Sequence, residues 1–328
     1  MLFTLTLIII FNIALFFSNN FIAKLFNIYD FPDKVRKFHK NPVPITGGLF
    51  LYSNILLYFF IQIILFEKTL FFANINLIFI FLFFCTLFFI LGFLDDKFDI
   101  NSNFKFLLTL ILIIGILFFD KTLVIKNVNL GFVNFDLNKF SIPWTVICFL
   151  LFVNAFNMFD GFNLQSATYS FFLLIVLLFQ SQYDYFVFFI LVPIIFFGIL
   201  NYLNKSFMGD GGTYLISFII GCLFIKLYNN GSIRSVDEIV CLMIIPGIDL
   251  MRLFVQRIAI YKKSPFSADR HHLHHYLLNN FNQNKTFLYL NALIILPYLV
   301  GKFFLGFLAV IILQLIIYFF IILRLKKN

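Results

Sequence analysis

Long runs of apolar residues follow one another along the chain, separated by short polar gaps. A membrane-spanning helix needs about 20 predominantly apolar residues. The pattern therefore predicts eleven spanning helices, at 2–18, 47–66, 75–94, 104–120, 142–159, 167–181, 186–203, 212–228, 237–260, 286–300 and 302–323. The first run has neither a preceding cation nor a small-residue cleavage pattern, so we expect it to stay as an anchor with its N-terminus outside.

The composition favours the same class of protein. Of the 328 residues, 62% are hydrophobic and 12% are charged, whereas a soluble domain carries about 25% charged residues. The gaps are too short for a separate soluble domain, so we predict one integral-membrane domain over 1–328 with an all-α polytopic fold. The four cysteines lie inside apolar runs without a Cys-x-x-Cys pair, which indicates small buried side chains rather than disulfides or a thiolate metal site.

The net charge of +9 does not indicate nucleic acid binding in so apolar a chain. With the N-terminus outside, 17 of the 24 Lys and Arg residues fall in inward segments, which include the inward ends of spans, in agreement with the positive-inside rule. The inward side is therefore expected to be the cytoplasmic one. In the longest outward gap, 121–143, apolar and polar residues alternate over 124–135, which predicts a small hairpin at the membrane interface.

Five polar clusters interrupt the apolar pattern, and the predicted topology places all of them on the inward side. They are 36–40 followed by Gly47 and Gly48, then 95–99, 154–163, 207–212 and 269–275. Carboxylates, amides, glycines and cations that meet on one face indicate a site for a metal ion and a phosphorylated ligand.

Asp95 and Asp96 close the third predicted helix, and Asp99 shares a face with Asp95 if the helix continues. Adjacent carboxylates are unfavourable at the negative C-terminal end of a helix. A divalent cation or a role in proton transfer would explain them, and a solvated flank of a spanning segment is the alternative. Oxygen ligands of this kind suit Mg²⁺.

Asn154, Asn157 and Asp160 recur every three residues, which places them along one strip near the inward end of the fifth helix. Polar groups within a span are functional candidates, with hydrogen bonding between helices as the alternative. Asp210 and Gly211 lie in a glycine-rich turn before the eighth helix. Backbone N–H groups in such a turn can approach a phosphate.

The four histidines between His271 and His275 raise the question of zinc. We disfavour zinc, because cysteine ligands are missing nearby and the flanking lysines and Arg270 would repel a cation. Binding of a polyanion fits these charges better, and a solvated loop is the alternative. Asp249, with Arg252 and Arg257 at i+3 and i+8, is expected to form an ion pair within the ninth helix that holds this segment.

Taken in order, these motifs resemble those of the polyprenyl-phosphate N-acetylhexosamine-1-phosphate transferase superfamily, glycosyltransferase family 4. The resemblance runs from Arg36 to Leu277. It implies a bacterial cytoplasmic-membrane enzyme whose active site faces the cytoplasm. Such enzymes transfer a sugar 1-phosphate from a UDP-sugar to undecaprenyl phosphate, release UMP, use Mg²⁺ or Mn²⁺, and initiate surface glycans such as lipopolysaccharide O-antigen or the teichoic acid linkage unit.

Within the superfamily, Asp99, the Asp249 to Arg257 spacing and the histidine pattern resemble the branch that uses UDP-N-acetylhexosamine, including UDP-GlcNAc. The phospho-MurNAc-pentapeptide transferases are the alternative. One departure concerns Asn163 and Leu164, where the family often has Asp and Gly, so the nucleobase or sugar contact made there is in question. A transporter without chemistry is disfavoured, because the acids lie at helix ends rather than at the midplane.

The resemblance also implies roles for individual residues. Asp95, Asp96 and Asp99 are assigned to catalysis. In that role, Asp95 or Asp96 would accept the proton of the lipid phosphate or form an aspartyl-phosphate. Metal binding is assigned to Asp160 and Asp210. Substrate binding is assigned to Arg36, Lys37, His39, Gly47, Gly48, Asn154, Asn157, Asn163, Gly211, Arg270, His272, His274 and His275. The expected partners are a UDP-N-acetylhexosamine, undecaprenyl phosphate and the bilayer, and a homodimer is compatible with the sequence.

Overall fold

A computed structural model describes residues 2–32, 41–65, 71–72, 74–182, 184–267 and 269–326. Its helices are α1 Leu2–Phe26, α2 Gly47–Leu65, α3 Ile75–Phe98, α4 Ser102–Phe119, α5 Ser141–Phe159, α6 Gln165–Gln180, α7 Tyr185–Tyr202, α8 Gly209–Asn229, α9 Val236–Val255, α10 Leu273–Asn280, α11 Gln283–Val300 and α12 Phe307–Leu325. Its strands are β1 Tyr29–Asp30, β2 Val43–Pro44, β3 Asn127–Asn129 and β4 Asn134–Asp136. The chain divides into two compact units, Met1–Leu123 with Phe162–Lys226, and Val124–Gly161 with Leu227–Asn328.

The first unit contains α1 to α4, α6, α7 and most of α8. Helix α7 packs against α1, α2 and α6, and α3 packs against both α2 and α4. Helix α8 is apolar on all sides and is almost wholly buried, as expected of a helix in the centre of a bundle. Its Phe218 ring stacks on Phe88 of α3, with the ring centroids 4.4 Å apart. These contacts fix the N-terminus of α8 against the C-terminal end of α3.

The second unit is built around α9, which packs against α5, α11 and α12. A π-helical turn, Gly301–Leu305, follows α11, and Gly306 at φ 77° then starts α12. The positive φ favours glycine at this reversal. Strands β3 and β4 pair antiparallel, with Asn127 opposite Asp136, which confirms the predicted hairpin.

Over the described residues, nine helices are long and apolar enough to span a membrane, which confirms the predicted all-α polytopic class. Two of the eleven predicted spans differ from these nine. Helix α6 has 16 residues and so measures about 24 Å, less than the roughly 30 Å hydrocarbon core. Helix α9 differs because it contains four charged residues, which are Asp237, Glu238, Asp249 and Arg252.

Four predicted boundaries are corrected. The break between the last two helices lies at Gly306, not at 301–302, because a π-helical turn extends α11. Helix α8 begins at Gly209, so its glycines form the first helical turn rather than a loop. Helix α3 ends at Phe98. The histidine segment was predicted as a loop, but it contains the short helix α10.

Candidate active site

Asp96, in the last turn of α3, caps the N-terminus of α8. Its carboxylate accepts the backbone N–H of Asp210 at 2.7 Å and that of Gly211 at 2.9 Å. The first N–H groups of a helix lack partners within the helix, and a carboxylate there also interacts favourably with the helix dipole. Asp96 therefore determines where α8 begins and where Asp210 is placed.

Lys105 joins the other two carboxylates of this cluster. From the first turn of α4, its Nζ donates to Asp95 Oδ2 at 2.5 Å and to Asp210 Oδ2 at 2.7 Å. The second oxygen of Asp95 accepts the N–H of Ile100 at 2.9 Å. The side chain of Asp210 is 28% exposed, against 10% for that of Asp95. Asp210 is therefore the more accessible carboxylate of this cluster, which we call the Lys105 cluster: Asp95, Asp96, Lys105 and Asp210.

Glycines permit the close approach of the helices that carry the Lys105 cluster. A Cβ atom on Gly92 of α3 would collide with the backbone carbonyl of Asp210, and one on Gly48 would lie 2.7 Å from the backbone N of Gly212. The N–H groups of Gly47 and Gly48 donate to the carbonyls of Phe207 and Met208 at 3.0 and 3.1 Å. Gly47 and Gly48, predicted to bind substrate, thus join the start of α2 to the start of α8.

Two predicted site residues, Gly211 and Asp99, have surroundings that differ from those expected. Gly211 was expected to offer its N–H to a phosphate, but that N–H is donated to Asp96 because Gly211 lies in the first turn of α8. Asp99 was expected to share a helical face with Asp95, but α3 ends before it. Asp99 is an exposed C-cap residue at φ 51°, and its N–H donates to the carbonyl of Asp95 at 2.9 Å.

Lys105 was missed by the sequence analysis, although a signal was present. A single cation stands within an otherwise apolar span, just after the N-cap residue Asn101 and ten residues after Asp95. An ionisable residue in such a position is a functional candidate by itself. Its location beside two acids follows from how α3, α4 and α8 pack, which the linear pattern does not contain.

Asn163 lies in the first unit, at the turn before α6. Its side-chain amide donates to Asn204 Oδ1, and the next N–H, that of Leu164, donates to Asn201 Oδ1 at 2.5 Å. Leu164 adopts φ 70°, in the left-handed region. This is the position at which the resembled family often has glycine, so the chain keeps a glycine-type backbone with a leucine side chain.

In the second unit, the predicted strip of α5 is present. Asn154 is buried, and its amide donates to the carbonyl of Leu150 at 2.8 Å. Asn157 lies in the last turn of α5, and Asp160 is the C-cap residue, whose N–H donates to the carbonyl of Asn157 at 3.3 Å. The helix therefore ends at Asp160, and its carboxylate stands at the end of α5.

The histidines of the second unit form a compact group at the start of α10. His272 is the N-cap residue, and its Nδ1 lies 3.0 Å from Asp249 Oδ2. The ring of His272 stacks on that of His274 at 5.4 Å, and the rings of His274 and His275 lie 4.2 Å apart. His274 is buried against Gly161, where a Cβ atom would collide with the imidazole.

Asp249 of α9 holds this group in place. Its Oδ1 accepts from Arg252 Nη2 and from the Tyr318 hydroxyl, each at 2.7 Å. This confirms the predicted ion pair between Asp249 and Arg252. Arg257 differs from the prediction: it pairs with Asp269 at 2.7 Å, because the chain turns back after α9 and brings Asp269 to it. Both arginines therefore hold the histidine segment against α9.

Burial keeps two of the histidines neutral. Burial, with smaller contributions from the neighbouring His272 and Arg270, lowers the pKa of the His275 imidazole to about 4. Burial likewise lowers the pKa of His274 well below its usual range. A neutral imidazole can donate one hydrogen bond and accept another. The exposed Arg270 remains the permanent positive charge of this group that is available to a polyanion.

The donor set around Lys105 fits a magnesium ion in its chemistry. Among the described residues, no three His, Cys, Asp or Glu side chains group closely enough to hold a metal ion by themselves. However, Mg²⁺ typically takes one or two carboxylates and completes its shell with water and substrate phosphate oxygens. Asp95 and Asp210 already share one cationic group, Lys105 Nζ. A site with few protein ligands is therefore compatible with these residues.

The predicted phosphate-binding residues Arg36, Lys37 and His39 lie outside the described residues.

Comparison with known protein families gives a partial match to this chain. The family model of glycosyl transferase family 4 matches residues 78–228, a segment that contains the whole Lys105 cluster. The chain is thus similar to glycosyl transferase family 4 over just under half of its length. This similarity and the curated relatives support an enzyme, and the acidic cluster lies in the matched segment.

Curated relatives of this family cover most of the chain. A protein of Escherichia coli (strain K12) is 27% identical over 282 residues, which are 80% of this chain and 72% of the relative. A protein of Yersinia pestis is 26% identical, over 90% of this chain and 81% of the relative. One of Thermotoga maritima is 25% identical, over 92% and 91%. Each is named an undecaprenyl-phosphate alpha-N-acetylglucosaminyl 1-phosphate transferase.

Proposed function

We propose that the protein transfers an N-acetylhexosamine 1-phosphate from a UDP-sugar to undecaprenyl phosphate and releases UMP. The names of the relatives support the acceptor and the transferred group. The structural observation that carries the proposal is the Lys105 cluster, in which three carboxylates and one cation gather where α8 begins. We infer that its product initiates a surface glycan, such as O-antigen or the teichoic acid linkage unit.

The reaction exchanges one phosphoanhydride for another. An oxygen of the prenyl phosphate attacks the β-phosphorus of the UDP-sugar, the bond from that phosphorus to the bridging oxygen breaks, and UMP leaves with the bond's electrons. Two anions must approach each other, so catalysis depends on positioning and on neutralisation of charge. Lys105 supplies one positive charge against three carboxylates, so the cluster is net negative and has the charge to hold a divalent cation.

Asp95 is the better candidate to accept a proton from the lipid phosphate. Both oxygens of Asp96 accept backbone N–H groups of α8, and those donors are fixed by the helix. One oxygen of Asp95 instead accepts from the flexible side chain of Lys105, which can move away when substrate binds. Asp96 is therefore assigned as a positioning residue, and Asp95 as the base.

We propose Asp210, in the first unit, as a carboxylate that holds Mg²⁺. The ion, when bound, would neutralise the diphosphate and act as a Lewis acid, an effect of several kcal/mol. Asp210 is partly exposed and reaches a cationic group in the structure. Its placement depends on Asp96, so the same carboxylate cap that starts α8 would also orient the metal ligand.

The first experiment measures release of UMP by the purified protein in detergent. With UDP-GlcNAc and undecaprenyl phosphate together, we expect UMP, and with either one alone we expect none. Asp210→Asn is expected to lower turnover by roughly 10² or more, the scale of losing one electrostatic partner of a transition state. Asp136→Asn, at an exposed acid of β4, is the matched control and should keep wild-type turnover.

Two outcomes would overturn the proposal in different ways. UMP release from UDP-MurNAc-pentapeptide, but from none of the simple UDP-N-acetylhexosamines, would move the protein to the pentapeptide branch. Wild-type turnover in Asp210→Asn would remove the assigned metal and charge site while leaving the reaction intact.

A second experiment tests the proposed location in the bacterial cytoplasmic membrane with the active site facing the cytoplasm. Cysteines introduced at Asn101 and at Lys285 of a cysteine-free variant should be protected from an impermeant thiol reagent in intact cells. A cysteine at Asn229 should react. Labelling at the first two positions would invert the orientation and separate the acids from cytoplasmic nucleotide.

A further inference from the structure

A groove of about 810 Å³ lies between α11 and α12 in the second unit, and α10 covers one of its ends. Its walls are mainly apolar and include Leu296 and Pro297 of α11 and Leu313 and Ile317 of α12. Gln314 also lines it, but its amide donates to the carbonyls of Leu293 and Cys241 at 3.2 and 3.3 Å. The groove therefore offers a ligand an apolar wall whose polar residue already has partners.

The two ends of the groove differ in chemistry. At one end, Val300 and Val310 flank the connection between α11 and α12 and line the groove with apolar side chains. At the other end stand Asn280 of α10 and Arg324 in the last turn of α12. The rise from Val310 to Arg324 is about 21 Å along α12. The groove is thus long, apolar at one end and cationic at the other.

The cationic end carries charge that no described carboxylate neutralises. Arg324 and Lys326 are exposed, and so is Lys285 in the first turn of α11. Lys285 stands four residues before Tyr289, which lines the groove, and residues at this spacing share a helical face. Across the part of the chain that the structure describes, none of these three cations pairs with a carboxylate.

We propose that this groove binds an anionic phospholipid, with one acyl chain between α11 and α12 and the headgroup phosphate at Arg324. An apolar groove longer than the roughly 15 Å half of a hydrocarbon core can hold an acyl chain, and the unpaired cations select an anionic headgroup. A zwitterionic lipid would bring its own cation to this end. The undecaprenyl chain is far longer than the run of about 21 Å along α12, which favours a phospholipid over the acceptor substrate.

The predicted topology also indicates which leaflet of the bilayer would supply the lipid. Lys285, Arg324 and Lys326 belong to inward gaps, so the headgroup lies at the cytoplasmic surface, where anionic lipids attract basic side chains. This site is independent of the proposed transfer reaction, because none of its residues belongs to the Lys105 cluster or to the histidine group.

The test is native mass spectrometry of the full-length protein released from detergent. It is incubated with dioleoylphosphatidylglycerol, dioleoylphosphatidylcholine or undecaprenyl phosphate. We expect wild-type protein to retain phosphatidylglycerol over phosphatidylcholine. Arg324→Gln should lower that retention about fivefold, which corresponds to about 1 kcal/mol for one cation. Ile317→Trp should abolish it by filling the groove.

Matched controls separate a site from general lipid contact. Ile316→Trp places the same ring on the neighbouring exposed position of α12, and Lys139→Gln removes an exposed cation elsewhere in the unit. Both should keep wild-type retention. The proposal is overturned if the controls lose lipid equally, if phosphatidylcholine is retained as well as phosphatidylglycerol, or if undecaprenyl phosphate displaces phosphatidylglycerol at equal concentration. A lipid-free dimer would instead assign the groove to a second copy of the chain and would also overturn it.

Discussion

The carboxylate of Asp96 accepts the backbone N–H of Asp210 at 2.7 Å, so the end of α3 determines where α8 starts. The same carboxylate accepts the N–H of Gly211. Two acids that sequence spacing alone would assign to the same chemistry therefore have different tasks. Asp96 fixes the first turn of α8, and Asp210 extends its side chain from that turn toward Lys105.

Removal of this cap should destabilise the protein. Asp96→Ala leaves two N–H groups of α8 without an acceptor, and loss of a helix N-cap costs about 1–2 kcal/mol. Asp96→Asn retains an acceptor oxygen and should lose less. The measurement is the midpoint of thermal or denaturant unfolding in detergent, with Asp99→Ala, at an exposed C-cap, as control. Equal midpoints for Asp96→Ala and Asp99→Ala would contradict the capping role.

Lys105 offers a second test, since it forms ion pairs with both Asp95 and Asp210. Lys105→Met leaves these carboxylates without their shared cation, and breaking a largely buried pair costs about 3 kcal/mol. Mg²⁺ should then raise the unfolding temperature of the variant more than that of the wild type, because a bound ion stabilises the folded state that holds it.

The control for this test is Lys97→Met, which removes an exposed lysine from the same region of the first unit. It should unfold as the wild type does, with and without Mg²⁺. A Lys105→Met variant as stable as the wild type, with no added response to Mg²⁺, would show that the cluster does not depend on this cation.

Leu164 provides a test of the departure from the family pattern. At φ 70°, a side chain with a Cβ atom costs roughly 1–2 kcal/mol, so Leu164→Gly should raise stability by about 1 kcal/mol after the extra entropy of glycine is subtracted. Leu164→Ala keeps the Cβ atom and should not stabilise. Chemical denaturation of the three proteins measures the difference, and a destabilised Leu164→Gly would show that packing of the leucine outweighs the backbone cost.

The histidine group predicts how stability depends on pH. The pKa of His275 is about 4 in the folded protein, below its usual 6.5. Between these values the unfolded chain binds the proton and the folded chain does not, so stability should fall as the pH falls from about 6.5 to about 4. Across this pH range, the unfolding temperature of His275→Gln should change less with pH than that of Asn279→Gln, an exposed change on the same helix. Parallel slopes would contradict the burial of a neutral His275.

The sequence was sufficient for the features that depend on local pattern. Apolar runs predicted where most of the spanning helices lie, because each run must be about as long as the bilayer is thick. The end of the first was wrong by eight residues, since α1 continues to Phe26 rather than 18. Alternation predicted the hairpin of β3 and β4. The spacing of Asp249 and Arg252 predicted their ion pair, since residues three apart face each other on a helix.

Features that depend on packing were beyond the sequence. Nothing in the linear pattern separates Asp96 from Asp95, because only the approach of α8 to the end of α3 gives Asp96 its backbone donors. The same holds for Lys105, which meets Asp210 across 105 positions of sequence. Helix α10 was missed because its eight residues are too few to show a helical period. The predicted shared face of Asp95 and Asp99 was wrong because α3 ends at Phe98.

The most direct test of the central claim follows the β-phosphorus of the donor. UDP-GlcNAc labelled with ³²P in its β-phosphate is incubated with the protein and undecaprenyl phosphate, and the products are separated into lipid and aqueous phases. We predict that the label enters the lipid phase together with the sugar, while unlabelled UMP remains in the aqueous phase. Label that stays in water as UDP, while the sugar alone reaches the lipid, would contradict transfer of a sugar 1-phosphate.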